Sequence, residues 1–351
     1  MGRCPQGIQI MKEAMFYEML DEREVHCNLC NHRCKIREGK RGICGVRENR
    51  DGKLYSLVYG KVIAEHIDPI EKKPFFHFRP GTRAFSIGTM GCNFRCKHCQ
   101  NFDISQYPRK QSGEIIGQDR TPEQIIEATK KSGCDTIAYT YTEPTIFYEF
   151  AYDTAVLAQQ QGIKNVFVSN GYMSIEAAQK IAFYIDAINI DIKAFTEQFY
   201  KDVCGARLKP VLETIKLMKD LGIWVEVTTL IIPGLNDDEQ ELREIGRFVK
   251  GIGPEIPWHV SKFVPAYELL EPPPTPVATL HRAREIGMEE GLRYVYEGNV
   301  FGKGGENTYC YACGTLLIER YGLDIIENRL QKGKCPECGA KIDGVDMEKP
   351  M

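Results

Sequence analysis

The residues of this chain best suited to chemistry are its cysteines. Of fourteen, eleven fall in three tight groups, within residues 27–44, 92–99 and 310–338. The middle group reads CNFRCKHC and sets Cys92, Cys96 and Cys99 at the spacing CxxxCxxC on one short loop. Three thiolates so spaced can hold three irons of a cubane cluster, which is normally held by four cysteines. No fourth cysteine lies in the loop, so one iron of a 4Fe–4S cluster would stay open to another ligand. Zinc is the competing reading, with three unrelated core cysteines behind it. Zinc favours CxxC pairs and a fourth Cys or His nearby, and His98, the one candidate, is wedged between two ligands.

The outer groups read as metal sites of their own. Cys310 and Cys313, then Cys335 and Cys338, form two CxxC pairs, each followed by glycine. That is the pattern of a Cys4 zinc ribbon, a closed structural site, with rubredoxin-like iron as the rival. A ribbon this short folds mainly because metal binds. Cys27, Cys30, Cys34 and Cys44 are expected to share one metal: zinc first, a second iron–sulfur cluster as the alternative. His26 and His32 are read as neighbours rather than ligands. Arg33, Lys35, Arg37, Lys40, Arg41, Arg47 and Arg50 surround this group against Glu38 and Glu48. A solvated surface offsetting thiolate charge is favoured over an RNA or anion dock. Of the remaining cysteines, Cys4 is near the N-terminus and Cys134 reads as core. Cys204 precedes Gly205 beyond a strand and is a candidate hydrogen-atom relay or substrate tether.

Six short apolar segments predict the strands that position these groups: residues 83–88, 136–141, 165–169, 187–192, 224–232 and 259–264. Helical patterns lie between them. Thr121, Pro122 and Gln124 form a helix start, Ser174 and Asn236 read as later N-caps, and Gly133, Gly162 and Gly222 close three helices. The expected fold is α/β, a partial (β/α)6 TIM-type barrel, with chemistry at the C-terminal strand ends. Residues 1–80 form a Cys-rich metal-binding segment, 81–304 the barrel and 305–351 the zinc-ribbon-like module. Pro272, Pro273 and Pro274 read as a stiff connector.

A net charge of −3 gives no global pull toward nucleic acid or acidic lipid. No apolar run approaches the roughly 20 residues that span a bilayer. The first twenty residues lack a signal-peptide layout, so the expected compartment is the cytoplasm, where clustered cysteines bind metals rather than form disulfides.

The CxxxCxxC loop after a first strand, followed by βα units, resembles the radical S-adenosylmethionine superfamily. The resemblance implies that the open iron binds the amino and carboxylate groups of S-adenosylmethionine. An electron from the reduced cluster then breaks the S–C5′ bond, leaving methionine and a 5′-deoxyadenosyl radical that abstracts hydrogen from a substrate. His98 stands where the family often has Tyr or Phe. Tyr141-Thr142-Glu143-Pro144 resembles the family's Gly-Gly-Glu-Pro-like turn without its glycines, and assigns Glu143 to the methionine ammonium. Ser169 and Asn170 resemble a ribose-contacting turn. Asp191-Ile192-Lys193 resembles the DLK segment of glycyl-radical activating enzymes, with Lys193 facing the methionine carboxylate and Thr228 a further candidate there.

Within the superfamily, CNLCNHRCKIREGKRGICGVREN, DPIEKKPFFHFRPGTRAFSIGTMGCNFRCKHCQN, VEVTTLIIPGLND and YVYEGNVFGKGGENTYCYACGTLLIER resemble the AmmeMemoRadiSam branch, related to pyruvate formate-lyase activating enzymes. The resemblance implies AMME-region and Memo-like proteins as partners and a ferredoxin or flavodoxin as electron donor. It supplies no substrate. Two other functions compete: a glycyl-radical activase acting on a protein glycine, and a non-catalytic Fe–S electron carrier or metal-stapled binding protein. Activases of the first kind often insert a ferredoxin-like domain after the cluster motif, and the stretch between Cys99 and Thr121 is too short for one.

Overall fold

A computed structural model describes residues 11–110 and 113–348; Cys4 lies outside them. The main sheet takes its strands in chain order: β1 (Lys61–Pro69), β2 (Arg83–Thr89), β3 (Thr136–Tyr139), β4 (Lys164–Ser169), β5 (Ala187–Asp191), β6 (Trp224–Ile231), β7 (Trp258–Lys262) and β8 (Val295–Gly298). From β2 to β8 each strand lies parallel beside the next. Strand β1 runs antiparallel to β2, and the short strand Gln118–Asp119 pairs antiparallel outside β1. Among the described residues no ladder joins β8 to that outer strand, and the sheet stays open.

Six helices connect the parallel strands: α1 (Pro122–Lys131), α2 (Tyr148–Gln160), α3 (Ile175–Ile181), α4 (Leu208–Asp220), α5 (Glu239–Ile252) and α6 (Val277–Glu289). Every connection steps to the adjacent strand in one direction, and the right-handed rule then puts all six helices on one face. The sheet curls away from them as a partial barrel. None of the described helices is long and apolar enough to cross a membrane.

The expected α/β barrel is thus present, with one parallel strand more than the six expected. Strand β8 is only four residues, VYEG, too short and too mixed to stand out as an apolar run. Residues 61–69, expected in the N-terminal segment, form β1 of the main sheet; the EH pair in its middle hides the pattern. Thr121 and Gln124 form the full capping box, and Ser174 caps α3. Asn236 is not a cap. Asp238 caps α5, accepting from the N–H groups of Gln240 and Glu241 at 2.9 and 3.2 Å.

Aromatics from the β1–β2 connection close the floor. Phe75 and Phe78 are buried with Ile70 against Ala84, Ala138, Val166 and Ala187, one residue each from β2, β3, β4 and β5. Above them Glu226 accepts from the backbone N–H groups of Phe76 and His77 at 3.0 and 2.8 Å and lies 2.7 Å from His259 Nε2. Under the floor docks a three-stranded antiparallel sheet, Thr308–Tyr309, Leu316–Tyr321 and Asp324–Asn328. Its buried Arg320 donates to Phe76 O at 3.1 Å and lies 4.3 Å over the Phe76 ring. The N-terminal segment forms two small antiparallel sheets packed at the opposite, C-terminal end of the barrel.

Candidate active site

Strand β2 delivers the cluster loop. Gly91 turns the chain at φ 95°, and a Cβ there would meet Val46 Cγ1 at 2.6 Å and Cys44 O at 3.1 Å, so only glycine fits. The loop then rests on a second piece of backbone: Arg95 N donates to Cys204 O at 2.7 Å and Lys97 N to Val203 O at 2.9 Å. Phe94 N donates to Cys92 Sγ at 3.3 Å, and Ser105 Oγ lies 3.2 Å from Cys99 Sγ. Hydrogen bonds to sulfur are a main lever on the potential of an iron–sulfur cluster. Arg109 Nη2 and Gln106 Nε2 both donate to Phe94 O, at 2.6 and 3.3 Å. Two polar groups beside the ligands are buried without a partner among the described residues, Asn93 Nδ2 and the His98 ring nitrogens. Burial, with the Lys193 charge adding to it, pushes the His98 pKa down to about 3, so its ring is neutral.

Strands β3 and β4 converge on one carboxylate. Glu143, just past β3, is 1% exposed. Its Oε1 accepts from Thr145 N at 3.0 Å, Thr145 Oγ1 at 2.6 Å and Ser169 Oγ at 2.8 Å; its Oε2 accepts from Asn170 N at 2.7 Å. Burial raises its pKa, and those donors oppose the rise. Asn170 turns its side-chain amide back to the cluster loop, 2.7 Å from Asn93 Oδ1 and 3.8 Å from Cys92 Sγ. Glu143, Ser169, Asn170 and Cys92 therefore form one connected polar shelf.

Strand β5 delivers Asp191 and, beyond it, Lys193, paired at 2.7 Å. Burial acts against the Lys193 ammonium, but Asp191 and a Cys96 thiolate outweigh it and hold its pKa above the ordinary lysine value. The Lys193 backbone is fixed on both sides: its N–H donates to Tyr200 Oη at 3.0 Å, and its carbonyl accepts from Asn236 Nδ2 at 2.7 Å. Asn236 is thus a positioning residue that sequence reasoning took for a cap. Thr228 lies opposite Asp191 on β6, but its hydroxyl donates to Asn189 Oδ1 at 2.9 Å and not to the Asp191–Lys193 pair. Cys204 closes the turn after β5, wholly buried, with its side chain against Cys96.

The ribbon cysteines converge. Cys310, Cys313, Cys335 and Cys338 have their sulfurs within 4.8 Å of one another, with contacts of 3.6 and 3.7 Å. Tetrahedral zinc at about 2.3 Å from each thiolate needs sulfurs about 3.8 Å apart. Among the described residues no other three Cys, His, Asp or Glu side chains close to that degree. The sulfurs of Cys92, Cys96 and Cys99 do not all lie within 4.8 Å of one another, so they do not form such a single-ion set, and the orphaned polar groups of Asn93 and His98 lie beside them. The loop fits a 4Fe–4S cluster.

The Radical SAM superfamily profile matches residues 86–248. An uncharacterized protein of Methanocaldococcus jannaschii is 53% identical over 336 residues, covering 95% of this chain and 99% of its own. A pyruvate formate-lyase-activating enzyme of Streptococcus mutans is 25% identical over 177 residues, covering 49% of this chain and 67% of that enzyme. The crystal structure of Streptococcus suis SuiB bound to S-adenosylmethionine aligns over 66% of this chain and 53% of that one, at 13% identity and a TM-score of 0.49. The chain belongs to the radical SAM superfamily and is related to the pyruvate formate-lyase activating enzymes.

Proposed function

We propose that this chain is a radical S-adenosylmethionine enzyme of the AmmeMemoRadiSam branch, with Cys92, Cys96 and Cys99 as ligands of its 4Fe–4S cluster. The observation that carries the reading is the shelf running from Cys92 through Asn170 to Glu143 and Ser169. When bound, the cluster and S-adenosylmethionine supply reductive cleavage to a 5′-deoxyadenosyl radical and hydrogen abstraction from the substrate. Glu143 holds the methionine ammonium, Asn170 and Ser169 orient the ribose, and Lys193, set by Asp191, Tyr200 and Asn236, neutralises the carboxylate. Thr228 supports Asn189 at the edge of this region. Buried Cys204 serves as the hydrogen-atom relay or substrate tether, and a Cys204→Ala variant with full substrate turnover would remove it from the reaction. The ribbon cysteines hold a structural zinc. A ferredoxin or flavodoxin supplies the electron, and AMME-region and Memo-like proteins are the partners.

Anaerobic reconstitution with iron and sulfide, reduction with dithionite and addition of S-adenosylmethionine test the reading. Wild type is expected to release 5′-deoxyadenosine and a Cys96→Ala control none. A well-formed cluster that neither binds nor cleaves S-adenosylmethionine would overturn it and favour an electron carrier. A second reading, activation of a protein glycine, is supported by the related activating enzymes. Transfer of deuterium from a glycine-labelled protein to 5′-deoxyadenosine would select it.

A further inference from the structure

The N-terminal cysteines line a single enclosed cavity. Cys27, Cys30, Cys34 and Cys44 surround it with Leu29, Ile36, Ile43 and Ile146. Two of the four thiols are buried and two half-buried, and all four are free. Yet no three of their sulfurs come within 4.8 Å of one another, and His32, on the same wall, does not complete such a set. The contrast with the ribbon is internal to this chain. There, four sulfurs close to the span of one ion; here, four cysteines line one cavity at a wider span, no three of their sulfurs lying within 4.8 Å of one another, as is also true of Cys92, Cys96 and Cys99. A single zinc needs the close span. A cubane, with each thiolate on its own iron, needs the wider one.

A second observation concerns charge. Arg47, 1% exposed, also lines the cavity. Its Nη2 donates to Met15 O at 2.6 Å and Glu149 Oε1 at 2.9 Å. Its Nε and Nη1 are buried with no partner among the described residues. A guanidinium with donors left over is costly to bury unless an anionic group receives them. Four cluster thiolates with sulfides supply such a group, and N–H donors toward sulfur are the usual surroundings of an iron–sulfur centre.

We propose that Cys27, Cys30, Cys34 and Cys44 hold a second 4Fe–4S cluster, fully cysteine-ligated, with the unpaired Nε and Nη1 of Arg47 donating to it. The loop that carries it touches the first cluster's loop at three points. His32 Nε2 lies 2.8 Å from Asn93 O, Cys44 O abuts Gly91, and Arg109 bridges Ile43 O and Phe94 O at 3.2 and 2.6 Å. Such a cluster exchanges single electrons with the first, with no bond made or broken; the electron comes from the same low-potential donor of the ferredoxin or flavodoxin class. The exchange rests on the radical reading above, whereas the cluster does not.

The test uses the full chain, reconstituted anaerobically, with Cys92, Cys96 and Cys99 all changed to Ala. Iron, acid-labile sulfide and zinc are measured per chain, with an EPR spectrum after dithionite. The expected result is about four irons and four sulfides with a cluster signal, and about one zinc, in the ribbon. A variant that folds and binds no iron overturns the proposal. Wild type decides independently if the variant does not fold: about eight irons support the second cluster, and about four overturn it whatever the zinc content. Neither readout depends on cleavage of S-adenosylmethionine, so failure of the radical reading would leave this result standing.

Discussion

Glu143 Oε2 accepts the backbone N–H of Asn170 at 2.7 Å, joining the loop after β3 to the loop after β4 beside Cys92. The bond fixes where the Asn170 amide points. Glu143→Ala leaves the Thr145, Ser169 and Asn170 donors without their acceptor, at about 1–3 kcal/mol for each that stays dry. Glu143→Gln keeps the volume but presents an amide N–H₂ to groups that donate. Anaerobic equilibrium dialysis should show S-adenosylmethionine bound at least about tenfold more weakly by the Gln variant, a change of roughly 1.4 kcal/mol. Unchanged affinity in a folded Gln variant would take Glu143 out of the cofactor site.

Lys193 is predicted to act only with Asp191. Lys193→Met removes the cation and leaves Asp191 beside the cluster loop, so the KM for S-adenosylmethionine should rise. Breaking a buried pair costs up to about 3–5 kcal/mol, and less here because the Asp191 side chain is 28% exposed. The double variant Asp191→Asn/Lys193→Met should be more stable than Lys193→Met alone. A double-mutant cycle showing no coupling between the two positions would contradict the pairing.

Metal removal should act on the ribbon first. A chelator strong enough for thiolate zinc, or Cys313→Ser, is expected to release about one zinc per chain. Hydrogen exchange should then rise through residues 308–345 while the parallel strands stay protected. Exchange that stayed slow in the ribbon after zinc loss would show that Arg320 and the floor hold it without metal.

Glu71 should give stability a pH dependence. It is buried under the barrel 3.9 Å from Arg320, and burial outweighs that cation to raise its pKa from 4.5 to about 7. The folded chain therefore binds this proton more tightly than the unfolded chain. Its contribution is fully present below about pH 4.5 and is lost as pH rises through about 7, on the order of 1–3 kcal/mol. Thermal unfolding of wild type and Glu71→Gln across that window should differ in slope, with the variant flatter. Equal slopes would refute the assignment.

Much of the barrel and site was legible because the signals are local. CxxxCxxC is complete within eight residues, and strand ends in a parallel barrel meet at one mouth, where the family resemblance puts Glu143, Ser169 and Asn170. What escaped depends on tertiary placement. Asn236 reads as a cap in sequence, and only the fold gives that role to Asp238 and sends Asn236 to Lys193 O. Arg47 reads as one of seven surface cations, yet it alone turns inward to Glu149 and the thiols. The contact of Cys204 with Cys96 requires the turn after β5 to pass beneath a loop more than a hundred residues earlier.

The unjoined flank between β8 and Gln118–Asp119 has a consequence for what the mouth can admit. In a closed barrel, strand number and stagger fix the girth of the interior. Here, among the described residues, no hoop of hydrogen bonds runs round the circumference, so the two flanks can part or draw together while every strand keeps its neighbours. The aperture over the cysteine loop is thereby free to adapt to the thickness of whatever is threaded into it, as the jaws of a clasp are and the bore of a pipe is not.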